Sequence, residues 1–149
     1  MKIEKEISNN KFSNNFHKTV VNILYTYSWL TNLLTQRLDK YDITLQQYNI
    51  LRILRGQYPN PATVNLLKER MLDKMSDASR IVERLVQKKL VNRAVSERDR
   101  RAVDIVINAK GLEVLKNLDT EMDTEQILNG HLSSDEAGEL SDLLDKMRG

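Results

Sequence analysis

Residues 73–107, DKMSDASRIVERLVQKKLVNRAVSERDRRAVDIVI, restrict the possible folds more than any other stretch of the chain. In the first half, Met75, Ala78, Val82 and Leu85 recur at steps of three and four, with Ile81 beside them. Ser76, Asp77, Arg80, Glu83, Arg84 and Gln87 fall on the opposite face, so the spacing predicts an amphipathic helix over about residues 74–88, capped by Asp73. In the second half, residues 90–95 and 102–107 alternate as two strands around the charged tip SERDRR, with Val103, Ile105 and Ile107 pointing one way. Residues 74–101 hold nine basic and four acidic side chains, +5, in a chain whose net charge is +2. A basic helix followed by a basic hairpin, in an otherwise slightly acidic chain, points to nucleic acid.

The flanking sequence supplies the rest of the architecture. Residues 1–10 are polar and expected to fray. Phe16, Val20, Ile23, Tyr27, Leu30 and Leu34 then step by 4, 3, 4, 3, 4 and continue to Leu38, the pattern of a helix of about seven turns. Val21, Leu24 and Leu33 widen its apolar surface. A helix apolar on more than one side buries itself either in its own core or against a second copy, and the breadth here favours the dimer.

Thr44 and Gln47 form a capping box for a helix to about Gly56, with Leu45, Tyr48, Leu51 and Leu54 inward. The turn GQYPNP precedes a short helix starting at Thr63. Asn108 can cap a helix reaching about Ile127, and Ser133 with Glu136 boxes a last helix that carries Leu140, Leu143, Leu144 and Met147 on one face. Residues 111–149 hold ten acids and three bases, a charge that should keep this end off DNA. The order predicts a mainly α (α+β) chain of one domain, residues 1–149. Its winged helix-turn-helix lies at about 44–107, and the helices at about 12–38 and 109–149 form a second layer.

Several function classes are excluded. The chain has no cysteine and only two histidines, His17 and His131, so neither a thiolate nucleophile nor a histidine metal cluster within one chain can be built, and no cofactor is expected. A Gly-rich phosphate loop and a Ser-His-Asp set are also missing, so an enzyme is not expected. No stretch approaches the ~18 apolar residues of a membrane span, and the N-terminus lacks a signal core, so a cytoplasmic protein without membrane contact is expected. Two readings remain: a DNA-binding regulator, or a winged-helix protein-interaction module without DNA contact. The second has no need of +5 in residues 74–101, which favours the first.

Four segments resemble the MarR-type transcriptional regulators, and the resemblance spans nearly the whole chain. They are ITLQQYNILRIL (43–54), SRIVERLVQKKLVNR (79–93), the wing ERDRRAVDIVINAKG (97–111) and the closing LSSDEAGELSDLLDKM (132–147). Asp99-Arg100-Arg101 and Gly111 stand where the family has an Asp-x-Arg, an apolar strand, a helix cap and Gly. The chain departs from the family at Asn108, where Thr is common, and at Ser-Asp-Ala-Ser (76–79), where Ser-Thr-Val-Ser is common. The resemblance implies a two-fold homodimer with interleaved first and last helices on a pseudo-palindromic double-stranded operator, the half-sites about 10 bp apart. It also implies a repressor released by a small aromatic or anionic effector bound between the dimer layer and the DNA-binding head. Tyr25, Tyr27, Trp29, Tyr48 and Met71 are the candidate pocket lining, with core packing the alternative for each.

The N-terminal end of a recognition helix reaches base edges, which selects Lys74, Ser76, Asp77, Ser79 and Arg80. Arg80 suits a bidentate guanine contact, and Asp77 a cytosine amino group or water. Arg84 and Lys88, further along, are expected at phosphates; for Arg80 and Arg84 the alternative is a solvated face with pairs such as Arg80–Glu83. In the wing, Arg98 is placed to enter a minor groove, Arg100 to touch phosphate or stay solvated, and Asp99 to brace Arg101. Thr63 and Asn65, opening the short helix, can offer amides and side chains to phosphate.

Overall fold

Helix α3 (Leu45–Gln57) is the hub of the molecule. The computed structural model describes residues 1–9 and 11–149. The α3 helix starts at the expected capping box: the Gln47 amide donates to Thr44 Oγ1 at 3.1 Å and the Thr44 amide to Gln47 Oε1 at 3.2 Å. Its Tyr48, Ile50, Leu51 and Leu54 are buried, against α2 (Asn15–Asp39), α4 (Val64–Arg70), α5 (Ala78–Gln87), β2 (Val103–Ile107) and α6 (Ala109–Glu121). Each such side chain contributes about 1.5–3 kcal/mol through burial.

Strand β1 (Val91–Val95) pairs antiparallel with β2 in a register that sets Val91 opposite Ile107 and Val95 opposite Val103. Ile105 and Ile107 turn into the core as their alternation predicts, and Val103 is half-buried. Ala62 adds a strand stub to the sheet, exchanging both main-chain bonds with Ile105 at 2.9 Å. The result is a winged helix: α3, α4 and α5 backed by a small antiparallel sheet.

Two junctions fix how the wing leaves the helices. At the end of α5, the Lys89 amide donates to the Val86 carbonyl (2.9 Å) and the Leu90 amide to the Leu85 carbonyl (3.0 Å). This is a Schellman closure, with Lys89 in the left-handed region at φ 59. At the start of α6, the Asn108 side chain caps the Gly111 amide at 3.0 Å. A Cβ at Gly111 would lie 2.3 Å from the Leu90 carbonyl oxygen and 2.7 Å from Ile107 Cγ1. Only glycine lets α6 lie this close to the wing.

The outer helices behave differently. In α2, capped by Asn14, Leu38 is the buried residue, and Phe16 is 84% exposed. No residue of α8 (Ser134–Arg148), which starts at the expected Ser133/Glu136 box, is buried, and Leu143 is 63% exposed. Arg55 joins α3 to α6 through both Asp119 carboxylate oxygens, at 2.9 and 3.0 Å. Tyr41, just after α2, donates to Glu121 at 3.0 Å. That bond holds the Glu121 carboxyl below its ordinary range and the Tyr41 phenol above its own.

Three expectations need correction. The N-terminal stretch does not simply fray: Ile3–Glu6 form the short helix α1 with Ile3 buried, Glu4 pairs with Lys18, and Tyr25 donates to Glu6 at 2.7 Å. The frayed reading also covered Asn10, which lies outside the described residues. The helix expected from 74 begins only at Ala78, because Asp77 takes the N-cap and accepts the Arg80 amide at 3.2 Å. Met75, expected on the apolar face, is therefore in the preceding turn and exposed. The helix expected to reach Ile127 is two: α6 stops at Glu121, and Asp123 caps α7 (Thr124–Leu128) through the Glu125 amide at 2.9 Å.

Candidate nucleic-acid interface

The outward face of α5 presents Ser79, Arg80 and Arg84, all exposed. Among the described residues neither arginine makes an ion pair, since Glu83 is taken by Arg93 of β1 at 2.6 Å. The pairing considered for Arg80 with Glu83 is thus absent. Asp77 aims its carboxylate at the first turn of its own helix, where it satisfies an orphan amide and complements the positive end of the helix dipole. The carboxylate expected at a cytosine amino group or water thus has a structural task in its own helix.

Asp73 does for the preceding turn what Asp77 does for the helix. Its Oδ1 accepts the Met75 amide at 3.0 Å and its Oδ2 the Ser76 hydroxyl at 2.6 Å. The Ser76 hydroxyl first, and the Met75 amide second, hold the Asp73 carboxyl below the usual carboxylate range. Two cations expected at DNA have internal partners in the single chain. Lys74 reaches back to the Lys68 (3.4 Å) and Glu69 carbonyls at the C-terminus of α4. Lys88 binds the Asp42 carboxylate at 3.2 Å, the Asp42 carbonyl and Gln47 Oε1 at 3.2 Å, tying the end of α5 to the joint between α2 and α3. Thr63 caps α4, accepting the Leu66 amide at 3.2 Å, while Asn65 is exposed in that helix's first turn.

The wing loop is closed by main-chain bonds, Ser96 amide to Ala102 carbonyl at 3.0 Å and Ala102 amide to Asp99 carbonyl at 2.9 Å. Asp99 Oδ1 accepts the Arg101 backbone amide at 2.9 Å. The expected brace therefore acts on the main chain and leaves the Arg101 guanidinium free. Arg98, Arg100 and Arg101 are exposed and make no ion pair among the described residues. Five arginines in all, on α5 and the wing tip, face outward without a carboxylate partner.

The five pocket candidates do not converge within one chain. Tyr48 and Met71 are core residues, Tyr48 with Arg52 over its ring at 5.8 Å. Tyr25 and Trp29 line a shallow hollow of about 280 Å³ with Asn32 and Gln36. Tyr27 lines a separate cleft of about 400 Å³ with Thr31, Asp39 and Thr44.

Comparison with known proteins agrees with this geometry. Residues 41–102 match the model of the MarR family. A MarR transcription factor from Planctomyces limnophilus is 26% identical and superposes with a TM-score of 0.68, over 91% of this chain and 98% of that one. A mutant MarR from E. coli complexed with operator DNA is 24% identical, with a TM-score of 0.76 over 93% of this chain and 99% of that one. Bordetella bronchiseptica BpsR, whose DNA binding is regulated by 6-hydroxynicotinic acid, is 21% identical, with a TM-score of 0.70 over 88% and 99%. No curated protein sequence matches the chain significantly.

Proposed function

From a chain that carries a MarR-family winged helix at residues 41–102, we propose a dimeric, sequence-specific DNA-binding transcription regulator. The observation that carries this reading is the set of five outward arginines without ion-pair partners among the described residues, Arg80 and Arg84 on α5 and Arg98, Arg100 and Arg101 on the wing. Unpaired guanidinium groups on a helix and a hairpin match the two grooves and the phosphates of duplex DNA.

Dimerisation is supported by the apolar surface of α2 and α8, which the single chain leaves in water. A two-fold pair would carry two heads to a pseudo-palindromic site. Within this reading the protein acts as a repressor released by a small aromatic or anionic molecule, a regulation supported by the fold it shares with a ligand-regulated DNA-binding protein. The effector site belongs to the assembled dimer, because Tyr25, Tyr27 and Trp29 line open hollows of α2 in the single chain.

Selection of bound fragments from the source genome tests the reading directly. A recurring pseudo-palindrome bound by two copies of the chain is expected. Retention no better than for random DNA at physiological salt would reject it.

A further inference from the structure

We propose that Met75 is a specificity-determining residue that reads the C5-methyl group of thymine in the major groove. The inference rests on the DNA-binding reading above and concerns one residue of the same face.

Met75 is 93% exposed, in the turn between α4 and α5 and two residues before the N-cap Asp77. Its backbone is nonetheless fixed. The Met75 amide donates to Asp73 Oδ1 at 3.0 Å, and the Ser76 side chain holds Asp73 Oδ2 at 2.6 Å. On the near side, the Leu72 amide is anchored to Asn49 Oδ1 of α3 at 3.0 Å. The other side chains of residues 73–77 all have internal partners. Asp73 and Ser76 bond each other, Lys74 returns to α4, and Asp77 caps α5. Among residues 73–77 Met75 is the side chain that projects outward with no internal task, and Leu72 beside it is 86% exposed.

A large apolar side chain held out in water suggests a partner. Lys74 and Arg80 flank this position, and the two carboxylates beside them, Asp73 and Asp77, are turned to amides and a hydroxyl of the turn and the helix start, a setting better suited to a polyanion than to an apolar protein groove. A helix-turn-helix carries this end of its recognition helix into the major groove. The thymine methyl is the apolar feature of base edges there, where all other groups want donors or acceptors. The flexible thioether chain of methionine can settle on such a methyl without demanding one geometry.

Replacing single thymines by deoxyuridine in an operator taken from fragment selection removes the methyl and keeps every hydrogen-bonding group. Wild-type protein should lose about fourfold in affinity for each thymine so replaced in one symmetry-related pair, the factor expected for one buried methyl. Met75→Ala, which removes the contact from both subunits, should bind the thymine operator about 15-fold more weakly and be indifferent to uracil at that position. Met75→Leu should keep the discrimination, and the melting temperature of both variants should match the wild type.

Unchanged affinity of Met75→Ala overturns the proposal. So does an equal loss on thymine and uracil operators, which would place the side chain on the sugar–phosphate backbone. A wild-type protein that binds no fragment removes the DNA-binding reading and this inference with it, a result distinct from the other two.

Discussion

The folded chain leaves two surfaces unsatisfied, and they differ in kind. On α5 and the wing the unmet groups are charges, five arginines without carboxylate partners. On α2 and α8 they are apolar, with Phe16, Leu24, Leu140 and Leu143 exposed. Between them, the core around α3 has met its own needs. On the proposed function the two surfaces take partners of opposite chemistry: a polyanion for the first and a second copy of the chain for the second. The acidic C-terminal helices then have a role too, since their charge would keep the apolar layer away from DNA while the basic head engages it.

Breaking the apolar surface should have the largest effect. Leu143→Glu on α8 should shift the protein toward monomer in sedimentation equilibrium. Operator affinity should fall by about 100-fold or more, because two linked heads gain from effective concentration what one head cannot. A stable dimer would show that α8 does not form the interface.

Breaking the charged surface at its centre should cost less. Arg80→Ala should weaken operator binding by about 1–3 kcal/mol and relax one base position, with no change in melting temperature. A loss uniform across sequences would make Arg80 a phosphate contact. Next in size is a change that touches the scaffold rather than the surface. Asp77→Ala should lower folding stability by about 1 kcal/mol through the lost cap, measured by urea denaturation. Asp77→Asn, which still caps, should restore most of it. The smallest effect sharpens the junction between head and wing. Lys89→Gly should raise stability by about 0.5 kcal/mol, because the left-handed φ no longer carries a Cβ penalty while glycine loses more chain entropy on folding.

The sequence made the head legible because its signals are local and redundant. The Thr44/Gln47 box, the alternation of Val103, Ile105 and Ile107, and the Asn108 cap each specify one conformation, and all three formed. The start of α5 was not legible for a physical reason. Asp73 and Asp77 are both good caps four residues apart, and only the packed structure shows that the first takes the turn and the second the helix. Met75 was misplaced as a consequence.

The division of labour among the cations was hidden as well. Lys74 and Lys88 resemble Arg84 in sequence, yet their partners are main-chain carbonyls and a carboxylate that only the fold brings near. The strand stub at Ala62 gave no signal, being a single bridge outside any alternating run. The five candidate pocket residues do not converge within one chain for a related reason. Aromatic spacing on α2 does not reveal which rings share a hollow, and Tyr48 and Met71 were consumed by the core.

On the proposed function, position rather than total charge makes the basic stretch a DNA surface. Two charge-matched variants test it most directly: Arg84, Arg98 and Arg100 changed to Gln, against Lys74, Lys88 and Arg93 changed to Gln. The measurement is the slope of log K against log salt on the selected operator. The first variant should lower that slope by about five, for six cations withdrawn from the DNA by a dimer at ~0.9 each. The second should keep a slope close to wild type and lose thermal stability instead. Equal slopes for the two variants would contradict the account, leaving net charge alone to explain binding.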